Sequence, residues 1–147
     1  MKRWITIGMV SAGLIIGIQS RSFAQGVTKP VPLLTKIVSG MPTTAEQEIR
    51  VLTAEFKPGD ETVFHTHRFP VTVYVLEGAF TLNLESEKGP VVVKAGEAYV
   101  EPPNVKMTGF NLSKTDRLKV VIFYVSEKGT PFLDMLDRMP DKPSMKH

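Results

Sequence analysis

Short extended segments alternate with turn signals along most of this chain, and that rhythm restricts its fold more than any other feature. The segment "EIRVLTAEFKPGDE" alternates apolar and polar residues and ends at Pro-Gly-Asp, which favours a turn. The segment "VTVYVLEG" is rich in β-branched and aromatic residues and ends at Gly78. Similar segments follow as far as "KVVIFYVSEKG", with turns at intervals of about 8–12 residues. No helical period is sustained over 45–126, so we predict an all-β sandwich or barrel.

The first 24 residues have the pattern of a secretory signal peptide. A basic start precedes an uncharged run from Trp4 to Ile18, which is shorter than the roughly 20 residues of a membrane span. Ser22 and Ala24 stand at positions minus three and minus one of a cleavage site. We therefore predict an exported, periplasmic protein that is cleaved after Ala24. An uncleaved N-terminal anchor is the alternative.

The rest of the chain divides into three segments. Residues 25–44 contain three prolines and are expected to form an extended arm with one short strand at 33–38. Residues 45–128 contain the predicted barrel. Residues 129–147 form a tail, which we expect to begin as a short helix at 132–138 and then to fray.

Charge and cysteine content exclude several classes of function. The chain has 18 basic and 15 acidic residues, and three of the basic ones lie in the predicted signal peptide. Their removal leaves 15 of each sign and no net charge, which gives no support to nucleic-acid binding. The chain has no cysteine, so thiolate-bound zinc and iron–sulfur sites are excluded. Any metal must be held by histidine, carboxylate or methionine.

His65 and His67 form the only His-x-His pair in the sequence. Side chains two residues apart on a strand point to the same face, so the two imidazoles are expected to lie side by side. Two metal ligands on one strand need this spacing. The spacing alone is a weak signal, because nearby histidines on a strand are more often surface or hydrogen-bonded residues.

Two blocks of spaced residues strengthen the signal. In "GDETVFHTHRFPVTVYVLEG" (59–78) a glycine precedes the two histidines by five intervening residues, and another ends the next strand. In "GEAYVEPPNVKMTGFN" (96–111) Gly96, Pro102 and Asn111 follow a second fixed spacing. In these blocks the chain resembles the cupin superfamily, specifically its small single-domain members. The resemblance implies a single-domain cupin jelly-roll β-barrel, with the site in its interior or mouth.

The chain departs from the cupin pattern at two positions that usually bind metal. The resemblance implies a glutamate at position 71 or 72 and a histidine at 107, but this chain has Val71, Thr72 and Met107. Asn104 replaces the second glycine of the second motif, and asparagine also tolerates a left-handed turn. Two histidine ligands therefore carry over, and the other two ligand positions do not.

Three interpretations of the site remain open. In the first, His65, His67 and Met107 bind one transition metal ion. A soft thioether ligand favours copper, above all Cu(I), although iron, manganese, nickel and zinc are not excluded. Taken alone, however, Met107 has a simpler explanation as a core residue.

In the second interpretation, a carboxylate from elsewhere completes the site. Glu61 has the same strand parity as the histidines, Glu101 directly precedes Pro102, and Glu77 lies at a turn. Since charged residues are mostly exposed, a surface position is the default expectation for all three glutamates.

In the third interpretation, the barrel binds no metal and holds a small apolar ligand. Val71, Val73 and Val75, together with Met107, would then line the pocket. The two histidines would serve as hydrogen-bonding or acid–base groups.

The resemblance leaves two classes of function. If the protein is an enzyme, a metal-dependent oxidoreductase of the cupin dioxygenase type is implied, acting on a small organic molecule. Otherwise it is a non-catalytic binding module, because one fold carries many functions. Cupins commonly pair through an N-terminal strand, so we expect a homodimer formed through the arm 27–42, with no membrane contact after signal cleavage.

Overall fold

The computed structural model describes residues 28–137, which form nine strands and no helix. All the strands lie in the second of two compact units of the chain, Val31–His147. The strands are β1 (Gln47–Phe56), β2 (His65–Thr66), β3 (Val71–Glu77), β4 (Ala79–Leu84), β5 (Val91–Lys94), β6 (Ala98–Glu101), β7 (Met107–Phe110), β8 (Leu118–Glu127) and β9 (Asp134–Met135). The predicted all-β class is therefore confirmed. Within 28–137 no helix is available to span a membrane.

The strands form two antiparallel sheets. The first has the order β1-β8-β3-β6, and the second has the order β5-β4-β7-β2-β9. Strands β1 and β8 pair along ten residues, from Gln47 opposite Glu127 to Phe56 opposite Leu118. Because sequence neighbours are often separated within the sheets, the connections cross between the two layers as in a jelly roll.

The core lies between the two sheets and follows directly from the alternation in the sequence. Along β3, Val71, Val73 and Val75 are buried, while the residues between them are only partly buried. Their side chains share one face of the strand because successive residues of a strand point to opposite sides. The other sheet contributes Phe80, Leu82, Leu84, Val93 and Met107 to the same cluster, and β8 contributes Leu118, Val120 and Tyr124.

Two turn positions need a left-handed backbone. Gly78 has φ of 77°, and a Cβ at this position would collide with the backbone oxygen of Arg117. Asn104 is the only described non-glycine residue with positive φ, at 59°. Its backbone N–H donates to the carbonyl of His67 at 2.7 Å. Asn104 thus adopts a left-handed turn conformation, which asparagine tolerates, and this turn is tied to the histidine segment.

The short helix predicted at 132–138 is wrong for the part that is described. Asp134 and Met135 form β9, which pairs with His65 and Thr66 of β2. The guanidinium of Arg68 also donates to both carboxylate oxygens of Asp134, each at 2.8 Å. A helix here would leave one edge of β2 without backbone partners, so the strand pairing prevails over the local sequence pattern. Residues 138–147 lie outside the described residues.

The strand predicted at 33–38 is also absent, and the segment has no regular secondary structure. Pro30 and Pro32 lack a backbone N–H, which disfavours regular pairing in this region. The arm instead contacts the barrel through side chains. The ammonium of Lys36 lies 5.1 Å from the centre of the Tyr99 ring. The predicted signal peptide, 1–24, lies outside the described residues.

Gly109 of β7 lets the ring of Phe80 lie directly over the backbone. A Cβ at this position would overlap the far end of that ring. The Phe80 ring in turn lies 5.7 Å from the Phe56 ring, centre to centre, and is itself buried. The ring therefore has little room to move away from a side chain at 109.

Gly109→Ala is expected to lower the free energy of unfolding by about 1–3 kcal/mol, the usual cost of overpacking a core. Gly89→Ala is the matched control, because nothing lies within 4 Å of a Cβ at Gly89. Urea denaturation of both variants beside the wild type measures the effect. Equal stability of the Gly109 and Gly89 variants would show that the Phe80 ring is not held in place.

Candidate functional site

A cavity of about 60 Å³ lies inside the barrel between the two sheets. A water molecule takes about 30 Å³ in the liquid, so the cavity has room for roughly two. Most of its wall is apolar, and the polar side chains in the wall are Thr62, His65, His67 and Glu101. The apolar lining residues are Phe56, Val71, Val73, Phe80, Leu82, Gly109, Val120, Ile122, Phe132 and Leu133.

The two histidines lie side by side in this wall, as their spacing predicted. His65 and His67 are 5 % and 1 % exposed, and their ring centres are 4.7 Å apart. Their Nε2 atoms lie 3.1 Å from each other. Both rings are therefore buried, and their Nε2 atoms point toward the same part of the cavity.

A backbone carbonyl fixes the orientation of each ring from behind. Nδ1 of His65 is 2.6 Å from the carbonyl oxygen of Val63, and Nδ1 of His67 is 2.7 Å from that of Phe132. A carbonyl can only accept a hydrogen bond, so both Nδ1 atoms donate. In a neutral imidazole the other nitrogen then carries a lone pair. In each ring that is neutral, this lone pair faces the cavity.

Burial supports the neutral form of one ring. It is the largest influence on the pKa of His65 and lowers it below the ordinary value. The hydrogen bond to Val63 raises the pKa of His65, the nearby His67 lowers it, and Glu101 raises it. Since the net change is downward, His65 is a neutral imidazole at neutral pH, with a free lone pair on Nε2.

Glu101 brings a carboxylate to the same point. The residue ends β6, is 4 % exposed, and places Oε2 at 3.3 Å from Nε2 of His67. The surface position that was the default expectation for Glu101 is therefore wrong. Glu77 is half-buried, and its carboxylate pairs with Arg117 at 2.8 Å at the turn after β3. Glu61 is exposed, and its backbone forms a bridge with Phe110.

The remaining predicted site residues lie nearby but differ in their access to the cavity. Met107 is fully buried in β7 and is the backbone pairing partner of His65, within the same core cluster as Val71 and Val73. Val71 and Val73 line the cavity, whereas Met107 and Val75 are not among its lining residues. The role of Met107 as a ligand stays a prediction.

Asn111, the last residue of the second motif, has a structural role. Its Nδ2 donates to the carbonyls of Phe56, Lys57 and Asp116 at 2.9–3.2 Å, and its Oδ1 accepts from the N–H of Ser113. These bonds tie the end of β7 to the loops after β1 and before β8. Both Nδ2 hydrogens are thus used within the fold, and only one lone pair of Oδ1 is left over.

His65, His67 and Glu101 do not form a complete set of metal ligands in this arrangement. Within 28–137 no group of three or more His, Cys, Asp or Glu side chains is placed so as to hold a metal ion. What the structure shows is two short contacts in series, from His65 to His67 at 3.1 Å and from His67 to Glu101 at 3.3 Å. All three groups present atoms that accept protons or metal ions.

Comparison with known proteins identifies the family. The cupin domain model matches residues 52–124, about half of the chain, which includes both histidines and Glu101. The fold and the motif residues agree with that match. The chain belongs to the cupin superfamily. A search of curated proteins found no match.

Solved structures share the fold at low identity. A cupin-like protein from Thermotoga maritima is 23 % identical, with a TM-score of 0.50; the match covers 60 % of this chain and 64 % of that one. The polyketide cyclase RemF from Streptomyces resistomycificus is 24 % identical, with a TM-score of 0.51 and 66 % of each chain covered. A structure of the DMSP lyases RdDddP and RnDddQII is 19 % identical, with a TM-score of 0.51, covering 60 % of this chain and 44 % of that one. This chain spans less than two thirds of each of these proteins, and the likeness establishes the fold alone.

Proposed function

We propose that this protein is an exported cupin that holds a transition metal ion between His65 and His67 and binds a small organic molecule beside it. One observation carries the proposal: the two Nε2 atoms face each other at 3.1 Å while both Nδ1 atoms donate to carbonyls. Metal-binding histidines usually donate their second ring nitrogen to a carbonyl or carboxylate in this way.

The distances fit this proposal. Two neutral imidazoles whose lone pairs meet at 3.1 Å repel each other unless a cation lies between them. Ligands about 2.0–2.1 Å from one ion, at ordinary coordination angles, are themselves about 3.0–3.4 Å apart. The sequence assigns the third ligand position to Met107, whose thioether favours copper.

The cavity supports a small substrate. Apolar side chains such as Val71, Val73 and Phe80 form most of its wall, and the polar groups lie together in one part of it. Such a site orients an apolar molecule with one polar group toward the histidines. A bound metal ion would supply Lewis-acid or redox chemistry there. We propose a metal-dependent oxidoreductase of the cupin dioxygenase type as the activity.

A metal-free binding protein is the second candidate function. It is favoured by the absence of a completed three-ligand group within 28–137 and by the apolar wall. In that case a proton shared among the histidines and Glu101 replaces the metal ion, and the cavity binds a small apolar molecule without turnover.

Metal content distinguishes the two functions. We expect the protein, recovered after export, to contain close to one transition metal ion per chain by mass spectrometry. The double variant His65→Gln/His67→Gln should contain none, because glutamine keeps the hydrogen bonding but is a poor metal ligand. His147→Ala, which removes the third histidine of the chain, is the control and should keep the metal.

Thermal unfolding of the double variant shows whether loss of metal merely reflects loss of fold. If the wild type binds no ion, even after incubation with excess copper and iron, the metal-binding function is excluded. That result would support the second candidate function, a metal-free binding protein.

Export is proposed from the first 24 residues. Sequencing the N-terminus of the protein recovered from the periplasm is expected to give Gln25 first. Ala24→Leu should slow cleavage, because signal peptidase needs a small residue at that position. An unprocessed N-terminus on the wild-type protein would instead support an uncleaved anchor.

A homodimer is proposed through the arm. Val31, Leu33 and Ile37 are 81 %, 66 % and 99 % exposed, which is unusual for apolar residues so close in sequence. A second copy of the chain could cover them.

Sedimentation velocity tests the dimer. We expect the wild type to sediment as a dimer and Leu33→Ser/Ile37→Ser to sediment as a monomer at the same concentration. Leu76→Ser/Val92→Ser removes two exposed apolar residues elsewhere and should remain dimeric. A monomeric wild type would contradict the proposed dimer.

A further inference from the structure

We propose that Glu101 supplies the third ligand of the metal site and gives it a preference for Fe(II), Mn(II) or Zn(II) over copper. The inference rests on the proposed function, in which His65 and His67 bind the ion. It assigns the missing carboxylate to a residue outside the positions where the resemblance implies ligands.

The environment of Glu101 is the first reason. Its side chain is buried in the cavity wall, and within 28–137 no Lys or Arg pairs with the carboxylate. Its ion-pair neighbour there is Nε2 of His67, at 3.3 Å, and His65 is also close enough to interact with its charge. A buried carboxylate without a cation is unfavourable. A divalent ion shared with the two imidazoles would remove that cost. The three side chains do not form a ligand group as they stand, so binding an ion requires the Glu101 carboxylate to converge with both Nε2 atoms on one point.

Strand pairing is the second reason. In the ladder between β3 and β6, Glu101 stands directly opposite Val71. Residues directly opposite each other on antiparallel strands point to the same face, with Cβ atoms about 4.5–5.5 Å apart. A carboxylate at 101 therefore enters the same part of the cavity as a carboxylate at 71 would. The carboxylate ligand thus comes from β6 instead of β3 but lies in the same part of the cavity.

The position of Met107 is the third reason. Met107 is packed in the core cluster and does not line the cavity, whereas Glu101 does. Replacing a thioether with a carboxylate changes the metal preference. Two histidines and one carboxylate are the ligand set of non-haem Fe(II) sites, and hard oxygen ligands also suit manganese.

The first part of the experiment measures binding of Zn(II) and Fe(II) by calorimetry, with oxygen excluded for iron. Glu101→Gln keeps the shape of the side chain and should weaken binding by roughly 100-fold or more, since even partners outside the ligand shell contribute 10–100-fold. Met107→Leu keeps the packing volume and should bind both ions like the wild type. Glu97→Gln, an exposed glutamate of the same sheet region, is the surface control.

The second part moves the carboxylate back across the ladder. Glu101→Val should lose binding, and Val71→Glu/Glu101→Val should recover most of it, because the two positions face each other. Val73→Glu/Glu101→Val places a carboxylate opposite Tyr99, one pair further along β3, and should not recover binding. Circular dichroism confirms that each variant is folded before it is titrated.

The outcomes separate the two proposals. Binding by the wild type that is lost in Glu101→Gln and restored by the double exchange supports the inference. Wild-type binding that survives in Glu101→Gln but is lost in Met107→Leu overturns it and leaves the histidine site intact, with copper as the favoured ion. No binding of zinc, iron or copper by the folded wild type overturns the proposed function together with this inference.

Discussion

The two-residue strand β2 is held on both edges, and the geometry of the site depends on that. His65 pairs with Met107 of β7 on one side and with Met135 of β9 on the other. The segment thus has no free edge in which to shift its register. A shift by one residue would turn both imidazoles from the cavity to the opposite face. Because it pairs on both edges, this two-residue strand is a rigid support for the site.

Hydrogen bonds from the two Nδ1 atoms complete this support. The carbonyl of Val63 lies two residues before β2, and the carbonyl of Phe132 lies two residues before β9. Strand β9 therefore contributes both an edge for β2 and, next to it, the acceptor that orients His67. The Phe132 ring also lies 4.9 Å from the His67 ring, centre to centre. The C-terminal segment is part of the site even though it supplies no ligand side chain.

The sequence predicts the strands well and the long-range partners poorly. The alternation in 71–77 predicts which valines are buried, and the spacing of His65 and His67 predicts that their rings meet. The sequence predicts a helix at 132–138, because the local pattern does not reveal the free edge of β2, which lies more than 60 residues away. Long-range strand pairing overrides weak local preference here.

Glu101 shows the same difficulty within the site. Its charge favours an exposed position, and only the register of β6 against β3 places it in the cavity. One sequence signal was present: the residue ends the segment "AYVE" immediately before Pro102 of the second motif. The sequence alone offers no reason to prefer it over Glu61, which has the matching parity with the histidines.

A crystal structure of the protein grown with Fe(II) or Zn(II), with anomalous diffraction recorded at the metal edge, tests the central claim most directly. The account predicts one strong peak in the cavity, about 2.0–2.2 Å from Nε2 of His65, Nε2 of His67 and a carboxylate oxygen of Glu101. An ordered cavity without such a peak, with the two Nε2 atoms still about 3 Å apart, would mean that a shared proton holds the histidines together. The metal site would then be excluded.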